Sequence, residues 1–415
     1  MPIDVPRDLT LGVATSAHQV EGGDSQTDWW DFEQRPGRIK RGDRSGQAVD
    51  FWTRFRDDVA LMRDHGIQFH RMSVSWGRIE PEEGRFDEAA LARYAEIVEA
   101  HRSAGIAVAV TLFHFALPRW LSARGGVLAP DAAQRFEIFA RRVALALRGL
   151  VWQWHTVNEP VVLADGGYRR GVWPPGERSL PRFARACRAL LGLHVAGYRA
   201  VHEVDDAPAG LVHNFVSARG RHDSEVDRRA ADVVRWVIDD AVVECLATGR
   251  IVPPWGAGTR LDGLERSSDM LGVNYYNGIT ACLHELPLVL DGTRGDRRTK
   301  MDWSVWAPGM LEVLRSASRL GVPVYVTENG IATDDDTWRG AFLTDHLHQV
   351  CLARQSGLDV RGYAHWSWID NFEWAEGFEP CFGLVAVDPE TLDRRPRESL
   401  ALYARIIRER TLRGG

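Results

Sequence analysis

The chain has 415 residues, a hydrophobic fraction of 45%, a charged fraction of 26% and a formal net charge of −6, the values of an ordinary globular protein. No long basic run occurs, which argues against nucleic acid or an anionic membrane as partner. No apolar segment is long enough to span a bilayer, and the opening MPIDVPRDLTLGVATSAHQ lacks the basic and apolar regions of a signal peptide.

Taken in chain order, the first apolar run is LTLGVATS, from Leu9. Arg41-Gly42-Asp43 follows in a polar loop and reads as a chance tripeptide. FHRMSVSW, from Phe69, is the second run. LARYAEIVEAHRSAG then has apolar residues three and four apart, a helical pattern that Gly105 is placed to end. AVAVTLFH, from Ala107, precedes DAAQRFEIFARRVALAL, a second helical pattern with Asp131 as expected N-cap. VWQWHTVN (from Val151), AGLVHNFV (from Ala209) and MLGVNYY (from Met270) are the next runs. His284 to Asp302 is polar and reads as a surface loop. VYVTEN, from Val324, is followed by Asp334–Asp336, expected to be a solvated turn. His346 and His348 sit in a helical pattern without a third ligand, so packing is expected of them and not metal binding. YAHWSW, from Tyr363, is the eighth run.

Several runs are apolar almost throughout, as parallel strands covered on both faces must be. About eight strand–helix units in one chain predict the α/β class and a single (β/α)8 TIM barrel, with residues 1–415 as one catalytic domain. A doubly wound sheet would carry a phosphate-binding glycine fingerprint after its first strand, where this chain has ATSAHQVEGG. A core of this size needs no disulfide or metal to hold it. Cys187, Cys245, Cys282, Cys351 and Cys381 are scattered and odd in number, which fits reduced thiols and a cytoplasmic protein.

Polar and aromatic residues gather where the runs end, and in a barrel the C-terminal strand ends form the active-site face. The fourth run ends in Thr156-Val157-Asn158-Glu159-Pro160 and the seventh in Thr327-Glu328-Asn329-Gly330. Each places a glutamate beside an asparagine at the mouth. One such glutamate is as readily an ion-paired loop residue; two, on strands expected from opposite sides of the ring, point to chemistry. Glycoside hydrolysis needs such a pair, one carboxylic acid to protonate the leaving oxygen and one carboxylate to attack the anomeric carbon. Arg71, on the second run, is a cation that would favour the charged form of Glu328; its alternative is a structural salt bridge. Tyr276, after Asn274 and Tyr275, would donate to the same carboxylate. The eighth run continues as Trp366-Ser367-Trp368-Ile369-Asp370-Asn371-Phe372-Glu373-Trp374. Tryptophans alone are more often core, but a carboxylate among them needs partners, and an aromatic platform beside carboxylate and amide groups suits a pyranose.

Together GVATSAHQVEG, FHRMSVSWGRIEPEEG, HTVNEP, LGVNYYNG, VTENG and WSWIDNFEWAEGF resemble glycoside hydrolase family 1, the β-glucosidase family, in order and spacing over nearly the whole chain. The resemblance implies a retaining β-glycosidase with Glu159 as acid/base and Glu328 as nucleophile, the latter supported by Arg71 and Tyr276. It implies that Asn158 bonds the sugar 2-hydroxyl and that Gln19, His114, Glu373 and Trp374 hold the other hydroxyls. Trp366 would be the platform, Phe382 would line the pocket, and Asn274 would belong to the same substrate site. The substrate would be a small-molecule β-glycoside, and no metal or organic cofactor is called for, since two carboxylates suffice.

Plant thioglucosidases of the family replace the acid/base with Gln, whereas this chain keeps Glu159. Phospho-glycosidases carry a Ser and a Lys near the position of Glu373–Trp374; here FEWAEGFEP brings Glu373, Glu376 and Glu379, expected to repel a phosphate. The family's usual His-Trp-Asp is His114-Phe115-Ala116 here, which removes an indole N–H, and its usual Arg before Phe382 is Cys381, which removes a loop salt bridge. Shorter loops after strands four to six imply an open aglycone side. Two other readings use the same residues: a transglycosylase, and a catalytically silent sugar-binding barrel, of which the latter would normally lack one of the two glutamates.

Overall fold

The computed structural model describes residues 3–283 and 297–412. Eight parallel strands close into a barrel: β1 (Thr10–Ala14), β2 (Phe69–Ser73), β3 (Ala107–Phe113), β4 (Gln153–Asn158), β5 (Ala209–Gly220), β6 (Met270–Ala281), β7 (Val324–Asn329) and β8 (Val360–Trp366). Each pairs with its neighbour in sequence, and β8 closes on β1 with Tyr363 opposite Leu11 and Trp366 opposite Ala14. The (β/α)8 barrel expected from the alternation of runs is therefore the fold. Every residue of β2, β4 and β7 is buried, which explains the lack of polar alternation in those runs: the barrel interior covers one face and the helices the other.

The principal outer helices are α1 (Phe51–Asp64), α2 (Glu88–Ser103), α3 (Ala132–Ala146), α4 (Leu180–His202), α5 (Glu225–Arg235), α6 (Pro308–Ser318), α7 (Asp336–Gln355) and α8 (Glu398–Glu409). In α3 the buried residues Phe136, Phe139, Ala140 and Val143 recur at helical spacing. Each large side chain so buried contributes about 1.5–3 kcal/mol, so the face and not intrinsic propensity holds the helix. Asp131 does occupy the N-cap position of α3, but its side chain caps no amide. Its Oδ2 accepts from Arg124 at 2.8 Å and from Arg135 at 3.1 Å, two cations that outcompete the backbone for one carboxylate. Asp87 caps α2 in the way expected of Asp131, accepting from Ala89 and Ala90 N–H.

Asp334–Asp336 is no simple solvated turn. Asp334 pairs with Lys300, Asp335 caps α7 through Trp338 N–H, and Asp336 holds the start of α8 through Ser399. His346 is buried in α7 against Phe342, as packing predicts. In Arg41-Gly42-Asp43, Asp43 accepts from Phe378 N–H at 3.0 Å and so ties this loop to the one after β8. Of the expected loop from His284 to Asp302, residues 284–296 lie outside the described residues; the remainder turns back so that Lys300 N–H meets Ala332 C=O at 2.9 Å. No described helix is long and apolar enough to cross a membrane.

Candidate active site

The C-terminal strand ends surround a cavity of about 520 Å³. Three non-glycine residues at its wall have left-handed backbones: Phe115 (φ 68°), Glu159 (φ 46°) and Trp374 (φ 50°). Such conformations cost of order 1–3 kcal/mol each and persist only where the surroundings impose them. At Glu159 the surroundings are plain. Its N–H donates to Val212 C=O at 2.8 Å, and Pro160 starts a helix at the next residue, so the chain turns sharply and projects the carboxylate inward. Gly330 follows Glu328-Asn329 because the ends of β7 and β8 nearly touch: a Cβ there would lie 1.6 Å from Trp366 C=O.

Nine of the twelve residues singled out from sequence line this cavity: Gln19, His114, Glu159, Tyr276, Glu328, Trp366, Glu373, Trp374 and Phe382. Arg71, Asn158 and Asn274 lie beneath them, fully or almost fully buried. Arg71 donates through Nη1 to Glu328 Oε1, through Nη2 to Asn158 Oδ1 at 2.6 Å and through Nε to His155 Nδ1 at 3.1 Å. Tyr276 donates to Glu328 Oε2 at 2.5 Å. Both oxygens of Glu328 are therefore accepting, from an arginine of β2 and a tyrosine of β6.

Glu159 is held differently. Asn274 Nδ2 donates to its Oε1 at 2.5 Å and Asn214 Nδ2 at 3.4 Å. No cation is among those partners. Burial and then the charge of Glu328 push the Glu159 carboxyl up to about 8. Burial and then Glu328 likewise push Glu373 up to about 8. Burial, followed by Glu328, holds the Tyr276 phenol well above its usual range, so it remains a donor. Burial and then Arg71 hold His114 and His155 well below theirs, so both rings are neutral.

Gln19 donates to Asn371 Oδ1 at 2.8 Å and to Glu373 Oε2 at 3.1 Å, and Ser16 fixes its carbonyl. This links β1 to the segment after β8. His114 lies nearly parallel to Trp366 and Trp374, with ring planes 23° and 18° apart. Its Nδ1 is buried with no partner.

Three expectations change. Asn274 is a second-layer residue: its amide is spent on Glu159, Asn158 and Thr327, and it does not line the cavity. The acidic residues after β8 are not a free anionic rim, because Glu376 pairs with Lys40 and Glu379 approaches Arg41 at 4.0 Å. The stretch ending at Asp302 is not wholly surface, since Met301 lines the cavity beside Trp303. Cys381 carries no salt bridge; its carbonyl accepts from Arg339 at 3.3 Å.

Sequence reasoning missed Asn214, Trp173 and Trp303 at this site. Asn214 is a polar residue inside the apolar run AGLVHNFV, a signal that was there to read. Trp173 reaches the site from an irregular segment after β4, packing on Phe115 at 5.0 Å between ring centroids, and nothing in its local sequence marks that.

A barrel with two glutamates in one cavity at its C-terminal mouth has the layout of a glycoside hydrolase. The family model described as "Glycosyl hydrolase family 1" matches residues 1–412. The chain is 35% identical over 445 residues to "Thermostable beta-glucosidase B" of Thermobispora bispora, covering 100% of this chain and 92% of that protein. Among solved structures it resembles a beta-glycosidase from Pyrococcus horikoshii, with TM-score 0.92, 36% identity and coverage of 100% and 97% of the two chains. It also resembles a beta-glucosidase from Thermotoga maritima in complex with glucoimidazole, with TM-score 0.93, 29% identity and coverage of 98% and 99%. The chain belongs to glycosyl hydrolase family 1.

Proposed function

We propose that this glycoside hydrolase is a retaining β-glycosidase, with glucose the preferred sugar, acting on unphosphorylated small-molecule β-glycosides. The observation that carries the reading is the contrast between two carboxylates in one cavity. Glu328 is gripped on both oxygens by Arg71 and Tyr276. Glu159, held by amides alone, is raised to about 8 by burial and by Glu328. At neutral pH Glu159 carries the proton that a leaving group needs, and Glu328 is oriented for attack.

In the first step Glu328 attacks the anomeric carbon, the bond to the aglycone breaks, and Glu159 gives its proton to the departing oxygen. The new ester removes the charge of Glu328. One of the two causes that raised Glu159 is then gone, its pKa falls, and it becomes the base that deprotonates water in the second step. Asn158 Nδ2 meets His114 Nε2 at 3.2 Å and would turn to the sugar 2-hydroxyl when substrate enters. His114 offers an unpartnered Nδ1, and Gln19, Glu373 and Trp374 complete the hydroxyl contacts over the Trp366 platform. Phe115, Trp173 and Trp303 give the outer cavity apolar surface suited to aromatic or hydrophobic aglycones. The thiols, free among the described residues, fit a reducing compartment such as the cytoplasm.

The test is the anomer first released from an aryl β-glucoside, followed by proton NMR before mutarotation. β-Glucose is expected. α-Glucose would overturn the retaining assignment, and no release from any β-glycoside would favour a sugar-binding barrel instead.

A further inference from the structure

β5 and β6 run far past the barrel, pairing out to Gly220 opposite Ala281. Beyond that last pair the two chains bring together three side chains distant in sequence. His222 lies two residues after β5, Cys282 one residue after β6, and Asp227 in the first turn of α5. His222 Nδ1 is 2.8 Å from Asp227 Oδ2 and 3.8 Å from Cys282 Sγ, and the ligand atoms of all three lie within 4.8 Å of one another. None of the three lines the catalytic cavity.

We infer that these residues form a binding site for a thiophilic divalent cation, zinc in the first place. Zinc bonds of about 2.3 Å to sulfur and about 2.0–2.1 Å to nitrogen and oxygen, at tetrahedral angles, put sulfur about 3.5 Å from nitrogen and nitrogen about 3.3 Å from oxygen. Against those spacings the observed 3.8 Å is about 0.3 Å long and the observed 2.8 Å about 0.5 Å short, adjustments that rotation of the exposed His222 side chain can supply. Thiolate, imidazole and carboxylate are each donors that zinc takes. A Cys–His–Asp proton relay is a poorer match, because the carboxylate and the sulfur both face the same ring nitrogen. A relay needs them on different nitrogens.

The scaffold is fixed before any ion arrives. Asp227 accepts from His222 N–H at 3.1 Å and from Leu283 N–H at 3.3 Å, so one carboxylate ties down the backbone of both other ligands. Gly220 permits this approach; a Cβ there would stand 3.0 Å from Arg228 N. Cys282 and Asp227 are buried while His222 is exposed, and among the described residues these three are the ligands brought together. Binding replaces the proton of the Cys282 thiol and any proton shared by His222 and Asp227, releasing them to solvent while the metal–ligand bonds form. The ion would clasp the β5 and β6 extensions to α5.

The experiment is titration of the whole metal-stripped protein with Zn2+ and with Co2+. Wild type should bind one equivalent at micromolar concentration. Its Co2+ form should show a sulfur-to-cobalt charge-transfer band in the near ultraviolet, and its melting temperature should rise with Zn2+. Cys282→Ser should lose that band. His222→Ala, at an exposed position with little cost to folding, should lose affinity by at least about the 10–100-fold typical of lesser changes at metal sites. Glycosidase turnover of His222→Ala without metal should match wild type. Failure of wild type to bind stoichiometrically, or binding that neither substitution weakens, would overturn the site. Turnover is read separately, so that outcome leaves the glycosidase assignment standing.

Discussion

The ends of β4 and β7 carry the same residue type into the same cavity, and the protein treats them in opposite ways. Around Glu328 it has placed an arginine and a phenol, and Arg71 is itself anchored to Asn158 and His155. Around Glu159 it has placed two asparagines. The strand ends are three places apart in a ring of eight, so each carboxylate feels the other without sharing its hydrogen-bond partners. Neighbours, not residue identity, distinguish the two carboxylates, and on the proposed reading that difference lets one serve as acid and the other as nucleophile at the same pH.

Substitutions at the β7 end should cost most. Glu328→Gly removes the proposed nucleophile, and kcat on an aryl β-glucoside should fall by about four orders of magnitude or more, as when a nucleophile is lost elsewhere. Added azide should restore turnover to a glycosyl azide of inverted anomeric configuration; an unchanged kcat would dissolve the contrast between the two sites.

Glu159→Gln should lower kcat/KM by about 10²–10⁴-fold for alkyl glucosides. The loss should be far smaller for a dinitrophenyl glucoside, whose leaving group needs no proton. Equal losses for both would remove Glu159 as the acid.

Arg71→Lys keeps the charge but not the three-way fork. A loss of about 10²–10³-fold in kcat is expected. Wild-type turnover in that variant would reduce Arg71 to a structural ion pair.

Asn274→Ala should have the smallest effect on rate at neutral pH and should instead move the pH profile. The Asn274 N–H favours the ionised form of Glu159 and so lowers its pKa. Removing it raises that pKa further, and the alkaline limb of kcat/KM, on which activity is lost as pH rises through about 8, should shift upward. A downward shift would contradict the assignment.

All eight strands were legible in the sequence, because burial on both faces leaves runs that little else explains. Their lengths were less so. AGLVHNFV and MLGVNYY continue to Gly220 and Ala281, since the two extensions support each other outside the barrel and neither run alone records that. The cavity lining was legible where a polar residue stands at a strand end, as at Glu159, Glu328 and Tyr276. It was illegible where a loop folds back from a distance, as at Trp173 and Met301. Asp131 failed as a capping side chain because Arg124 and Arg135 compete for it, a tertiary effect that no local pattern contains.

The central claim is that Glu159 holds its proton because it is buried and because Glu328 is charged. Carbon-13 NMR titration of the Glu159 carboxyl, assigned with Glu159→Gln, tests it in the free enzyme and in the enzyme esterified at Glu328 by a 2-fluoroglucoside. A midpoint near 8 in the free enzyme that falls once Glu328 is esterified is the predicted result. A midpoint near the ordinary 4.5 of a free glutamate, or one that esterification leaves unmoved, would contradict it.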